Sequence, residues 1–347
     1  MGTRKAAVMQ GIDDVKVMQI PMPEGELGAT DVLVRIKAVG ICGSDIHFYK
    51  DGRIGDMIII PPHILGHESA GEIVQVGSGV ENLKVGDRVA VEPQKPCWSC
   101  EYCQNGEYHL CKKMQFMSAP SEGAFVEYAM RPANMCFKIS DETSYGEAAM
   151  AEPLAVALQA LKRGHVCGGQ TAAILGAGPI ALAILMACKA YGCTDVYVTD
   201  LVDYRLNKAM EMGASGTFNI TECDYTEEIL KATEGRGVDV VFDTTAHPAT
   251  YKTMHKIAIR GGYLVLVGMG PDEYYEVNIA AIRDNENVMT GVFRYNNLYR
   301  KALALIASGQ CNVNQLISHR MPIEQIAEAF DIVHDKKDGV IKILIEI

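Results

Sequence analysis

The sequence predicts an α/β chain in two parts: a β-rich segment over residues 1 to about 150, and a doubly wound parallel sheet from Thr171 onward. Three observations predict it. Short apolar runs separated by glycine turns fill the first part. Strand-sized and helix-sized apolar runs alternate in the second. A Gly176-Ala177-Gly178 turn stands between the first strand and the first helix of that second part. Strands that alternate with helices need crossover connections, and these give a parallel sheet.

In the first part, Val32–Ile36, Ala70–Val76 and Arg88–Val91 read as strands. Turn signals such as Gly77-Ser78-Gly79 and Gly86-Asp87 divide them. In the second part, Ala172–Leu175 reads as a buried strand and Pro179–Tyr191 as a helix rich in Ala and Leu. Val196–Thr199 is the next strand and Tyr204–Met212 the next helix. Val238–Phe242, Tyr263–Val267 and Asn287–Val292 continue the strands, with a helix over Ala249–Ile257. After Asn296, Leu298–Ala307 and Pro322–Val333 read as helical and Val340–Ile347 as a last strand. That tail is expected to pack back onto the first part. The domains are then 1–152 with 296–347, and 153–295.

Composition narrows the classes. The chain is 48% hydrophobic and 22% charged, which suits a well-cored globule. Its formal net charge of -11 argues against nucleic acid and against an anionic membrane surface as partners. Eleven cysteines, an odd number at uneven spacing, read as reduced thiols plus a metal site rather than a disulfide framework. A cytoplasmic location is expected. Met1–Val17 carries charges and lacks an apolar signal-peptide core. Val166 to Cys188 is uncharged and long enough to span a bilayer, but Gly168, Gly169, Gly176, Gly178 and Pro179 interrupt it. A strand, a glycine turn and a buried helix account for it better.

Cys97, Cys100, Cys103 and Cys111 form a C-x2-C-x2-C-x7-C run. Four thiolates this close can close a tetrahedral shell around one zinc ion, leaving no open position, so that zinc is expected to be structural. His109 falls inside the loop, where four thiolates already fill the shell. His63 reads as a packing histidine. Cys136, Cys167, Cys188, Cys193, Cys223 and Cys311 read as buried thiols.

The glycine turn reads as a dinucleotide site. Gly176 permits the tight turn, Gly178 lets backbone amides approach a pyrophosphate, and Pro179-Ile180 opens the helix whose N-terminus carries partial positive charge. Ala181 takes the third small position. Asp200 follows Gly176 by 24 residues, where its carboxylate can accept ribose hydroxyls and repel a 2′-phosphate. NAD is therefore expected over NADP. Arg205 would stack on adenine, or else bind a 2′-phosphate. The plain alternative for Asp200 is a helix N-cap.

A second set of metal-ligand types is present. Cys42 offers a thiolate in a glycine-containing turn, His67-Glu68 an imidazole and a carboxylate, and Glu152 another carboxylate. A catalytic zinc keeps fewer protein ligands, so that substrate oxygen can reach it. Each residue alone has a bland reading: a small core residue, a hydrogen-bonded core histidine, a solvated charge.

Several stretches together carry a resemblance. They are Gly40-Ile41-Cys42-Gly43-Ser44-Asp45, Gly52-Arg53-Ile54-Gly55, Leu65-Gly66-His67-Glu68, Glu152-Pro153-Leu154, Val198-Thr199-Asp200-Leu201 and Gly291-Val292-Phe293-Arg294-Tyr295. The chain resembles the zinc-containing medium-chain dehydrogenase/reductase superfamily over essentially its whole length, and within it the sorbitol (L-iditol 2-) dehydrogenases. The resemblance implies a GroES-like catalytic domain carrying two zinc ions and a Rossmann NAD-binding domain. It implies Cys42, His67 and Glu68 on the catalytic zinc, with Glu152 on its water or on the metal itself. Ser44 and His47 would pass the proton to solvent. Arg294, Tyr295 and Phe48 fall at substrate-contacting positions, with Phe48 where relatives can carry Tyr. Val267-Gly268-Met269 and Val292-Phe293-Arg294 would flank the nicotinamide. A polyol substrate, oxidised at C2, and a homotetramer or dimer follow from the same likeness. Animal members commonly lack the full four-cysteine set, so this chain is similar to microbial ones. Two alternatives stay open: an L-threonine 3-dehydrogenase or secondary alcohol dehydrogenase, and a non-catalytic NAD-binding zinc protein.

Overall fold

The computed structural model describes residues 2–23, 25–270 and 274–347, and it divides into two compact units. One comprises Met1–Glu152, Tyr299–Gly309 and Val313–Ile347. The other comprises Pro153–Leu298 and Gln310–Asn312.

The first unit is built on a seven-stranded sheet. Cys136–Lys138, Arg88–Val91, Glu68–Val76, Asp31–Gly40, Lys342–Glu346 and Ile317–Pro322 lie side by side, and Tyr128–Pro132 also pairs with Asp31–Gly40. In Asp31–Gly40 the alternate residues Val32, Val34 and Ile36 are buried, the period-two pattern of a strand with one face on a core. Phe125 and Phe330 meet edge-on in that core, with ring centroids 5.8 Å apart. One register matters for chemistry. Gly40 stands opposite Glu68 on one side and opposite Leu344 on the other. The end of one strand, the start of a second and the chain's tail thus converge on one point.

The second unit holds a parallel sheet in the order Gly216–Asn219, Val196–Asp200, Ala172–Leu175, Val238–Asp243, Ala258–Leu266 and Val288–Gly291. The first strand in sequence lies in the middle, and the order reverses beside it. A crevice at the carboxyl ends of such strands is where nucleotides bind. Ala172–Leu175 is buried at every residue, as a strand covered on both faces must be.

The differences from the sequence reading are local. Ala249–Ile257 is an α-helix only over Pro248–Thr253, continued by a 3₁₀ turn over Met254–Lys256. Pro322 ends a strand and leads into a 3₁₀ turn over Ile323–Gln325, and the α-helix there runs Ile326–Asp335. The uncharged stretch from Val166 folds as a turn, the strand Ala172–Leu175 and the helix Pro179–Ala190. Among the described residues no helix is long and apolar enough to cross a membrane. Cys167 is exposed, because it sits in the turn before the first parallel strand, and Cys223 is half-buried. Cys136, Cys188, Cys193 and Cys311 are buried.

Candidate active site

Cys42 ends the approach from Asp31–Gly40 and caps the N-terminus of the helix Gly43–Asp51. His67 and Glu68 enter the strand Glu68–Val76, and both are buried. The ligand atoms of Cys42, His67 and Glu68 all lie within 4.8 Å of one another. A soft thiolate, an imidazole and a carboxylate at that spacing fit zinc, and three protein ligands leave a fourth position open. Glu152, in the first turn of Ala151–Arg163 and also buried, stands outside that cluster.

Two glycines make the site possible. A Cβ on Gly40 would come within 2.1 Å of Glu68 Oε2, so only glycine leaves room for the carboxylate. Gly66 has a φ of +96°, and a Cβ there would strike the Phe125 ring at 2.8 Å.

The electrostatics are set by Asp45 and Lys342. Asp45 is fully buried; its Oδ2 accepts from the Cys42 N–H at 3.0 Å and its Oδ1 from the Gly66 N–H at 3.1 Å. The His67 Nδ1 stands 3.4 Å from Asp45 Oδ1, a charge contact too poorly aligned to count as a hydrogen bond. Burial alone would lower the His67 pKa. The Asp45 carboxylate and the Cys42 sulfur outweigh it and hold that pKa well above 6.5. Burial likewise opposes the charge on Asp45, but His67 and the donors around the carboxylate keep its pKa below the ordinary value.

Lys342 is the second buried charge. Its Nζ donates to Glu68 Oε1 at 2.7 Å, to Glu68 Oε2 at 2.9 Å and to the Ile41 carbonyl at 2.9 Å. Burial works against the ammonium, yet Glu68 and Cys42 raise its pKa above 10.5. Glu68 is therefore shared: a metal that recruits it must bind a carboxylate already held by a lysine.

The four cysteines form the other cluster. Their sulfurs lie within 4.8 Å of one another, with Cys100 and Cys103 3.5 Å apart and Cys97 and Cys111 3.5 Å apart. A tetrahedral zinc with 2.3 Å bonds needs sulfurs about 3.8 Å apart, so the set fits. His109 is not part of it.

In the second unit, Gly176 has a φ of +102°, and a Cβ there would meet Thr244 Oγ1 at 2.5 Å. Gly178 precedes Pro179, the first residue of its helix, and a Cβ at Gly178 would meet nothing within 4 Å. That open space suits a close approach by phosphate. Asp200 Oδ2 accepts from the Ala177 N–H at 2.6 Å, and its Oδ1 accepts from the Leu201 and Val202 N–H groups. It braces the glycine turn, and Val202, not Asp200, caps the next helix. Arg205 donates to the Tyr204 hydroxyl at 3.1 Å. Arg294 has a φ of +53° and lies over the Phe293 ring, Phe293 and Met269 are exposed, and Tyr295 is fully buried.

Two family models match the chain: an alcohol dehydrogenase GroES-like domain over residues 28–141, and a zinc-binding dehydrogenase over 179–308. A sorbitol dehydrogenase of Bacillus subtilis is 42% identical, covering 98% of this chain and 96% of that one. The chain belongs to the zinc-binding medium-chain dehydrogenases. An L-idonate 5-dehydrogenase of Vitis vinifera is 39% identical over 94% of this chain and 90% of its own. Among solved structures, an alcohol dehydrogenase of Escherichia coli CFT073 in complex with NADH superposes with a TM-score of 0.93, at 28% identity and full coverage of both chains.

In this medium-chain dehydrogenase the structure gathers Cys42, His67 and Glu68 as the sequence suggests. It puts Phe48 in the hydrophobic core at 4% exposure, because that face of its helix packs inward with Ile46 and Tyr49. His47 is exposed and faces Asp51 at 3.4 Å, with no hydrogen bond to Ser44. The sequence reading missed the roles of Asp45, Lys342 and Ser118. One signal for Lys342 was present: a lysine interrupts the apolar run Val340–Ile345, and a lysine in a buried strand needs a partner. Ser118 carried none.

Proposed function

We propose that this enzyme oxidises a polyol at a secondary alcohol carbon, C2 of a sorbitol-, xylitol- or L-iditol-type substrate, with NAD+ as hydride acceptor. The observation that carries the reading is the convergence of Cys42, His67 and Glu68 within 4.8 Å in a dehydrogenase fold. The B. subtilis sorbitol dehydrogenase supports the substrate class, and the L-idonate enzyme keeps other sugar-derived alcohols in play.

Zinc at this cluster would supply a Lewis acid that acidifies the alcohol, lowering a bound water's pKa from 15.7 to about 7 in the best-known case. Cys42 and His67 would hold it, with Glu68 as third donor. Asp45 faces the Nδ1 of His67 and so leaves Nε2 for the metal. Glu152, buried and in electrostatic reach of Lys342, would orient the reacting oxygen. Ser44 and His47 would hand the alcohol proton outward, and Arg294 would anchor a distal hydroxyl. Asp200, fixed beside the glycine turn, places negative charge where a 2′-phosphate would sit, which supports NAD over NADP.

The test is reduced-cofactor absorbance at 340 nm on polyols, L-idonate, secondary alcohols and threonine, with NAD+ and NADP+ in parallel. Chelator-sensitive turnover of a polyol with NAD+ is expected. Activity confined to threonine or a simple alcohol would remove the substrate reading and leave the zinc chemistry.

A further inference from the structure

Ser118 holds a backbone conformation that side chains avoid. Its φ is +81° and it is 2% exposed. Strain of this kind persists only where the surroundings over-determine it, and it gathers at functional sites. Three bonds fix this residue. The Ser118 hydroxyl donates to Asp45 Oδ1 at 2.9 Å and accepts from the Gly66 N–H at 3.2 Å. Its carbonyl oxygen accepts from His63 Nε2 at 2.6 Å, and since a carbonyl only accepts, the His63 proton is on Nε2. His63 is itself tied to the strand Thr3–Gly11 through paired backbone bonds with Met9.

The carboxylate that Ser118 holds is the one that touches both ligand-bearing segments. Asp45 takes the Cys42 N–H on one oxygen. On the other it takes the Gly66 N–H and faces His67. Without the Ser118 hydroxyl, Asp45 keeps one backbone donor on each oxygen and loses its only side-chain hydrogen bond among the described residues. The carboxylate is then held less tightly on the side that faces the imidazole. Outer partners of this kind change metal affinity by about 10- to 100-fold when removed.

We propose that Ser118 is a positioning residue for the zinc site: its hydroxyl aims Asp45, and Asp45 in turn sets the ring of His67. This rests on the reading that Cys42, His67 and Glu68 hold zinc. It adds a residue 51 positions from His67 in sequence to the machinery that keeps the metal.

The experiment follows zinc leaving the holoenzyme for a chelating dye, with total metal counted per chain. Ser118→Ala is expected to release one of two zinc ions about 10-fold faster, while the four-thiolate ion leaves at the wild-type rate. Ser118→Gly relieves the backbone and lacks the hydroxyl, so it should behave like Ser118→Ala and carries the test if the alanine variant folds poorly. Adding Ser118→Ala to Asp45→Asn should give no further acceleration, because both changes break one path. Wild-type release from Ser118→Gly, or independent multiplying effects in the double variant, would overturn the proposal alone. A Cys42→Ser control that still holds as much zinc as wild type would overturn the metal reading and the proposal with it.

Discussion

The two candidate metal clusters of this chain are built by opposite means. The four-cysteine lobe is local: its ligands span residues 97–111, joined by the short helix Glu101–Gln104 and the 3₁₀ turn Tyr108–Leu110. Its apolar support is a small satellite of Cys103, Tyr108 and Cys111 with Met114 beside it. The Cys42–His67–Glu68 cluster is distributed. It hangs on a seven-stranded sheet, two glycines that leave it room, and two buried charges brought from Asp45 and Lys342. The first has little apolar core of its own and should depend on its metal for shape. The second is held by buried bonds among its own residues, which suits a site that must keep one position open.

The largest expected effect breaks this contrast directly. Cys42→Ser should cut turnover on the order of 10³-fold or more, since it removes a ligand of the Lewis acid, while the melting temperature stays close to wild type. Cys103→Ser should do the reverse in structure: its lobe has little core of its own, so protease should cut between 97 and 111 and the metal count should fall by one. Metal analysis, limited proteolysis and a thermal melt on both variants decide it. Equal loss of fold in the two would mean that the sheet does not preform the reactive site.

The contrast also explains what could be read from the chain. The four-cysteine lobe was legible because all of its ligands lie in one short motif. The glycine turn was legible because its strand, turn and helix are consecutive. The reactive site was legible only in its ligands. What holds them is non-local: Lys342 and Glu68 are 274 residues apart, and Ser118 reaches Asp45 across 73. No period or spacing links such pairs. Phe48 shows the same limit from the other side, since a family position suggested substrate contact and helix packing sent the ring into the core.

A smaller effect sharpens the contrast by asking what the preformed charges are worth. Lys342→Met leaves the Glu68 carboxylate buried without its cation. Breaking a buried pair on one side costs about 3–5 kcal/mol. That loss should appear in denaturant unfolding of zinc-stripped protein and shrink when zinc is restored, because the metal then supplies the positive charge. Adding Glu68→Gln should recover most of the stripped-state loss. A variant equally unstable with and without zinc would show that Lys342 serves packing, not the carboxylate.

The smallest expected effect concerns a buried residue bonded to the cysteine lobe. Glu92 is fully buried; its Oε1 accepts from the hydroxyl of Tyr108, in the cysteine lobe, at 2.8 Å and from Gln94 at 2.9 Å, while Oε2 has no hydrogen-bond partner among the described residues. Burial raises its pKa from 4.5 to about 7; the Tyr108 and Gln94 bonds and the Arg131 charge pull it down, and Glu152 pushes it further up. The folded state thus holds this proton more tightly than the unfolded chain does. The contribution to stability is complete below pH 4.5 and is lost as pH rises through about 7. The loss is at most on the order of 3 kcal/mol. Glu92→Gln keeps the acceptor for Tyr108 and cannot ionise. It should match wild type in melting temperature near pH 4.5 and exceed it at pH 8, with the gap opening between the two. A gap that stays flat across that range would mean that Glu92 carries its charge comfortably. Arg131 would then be its counter-ion.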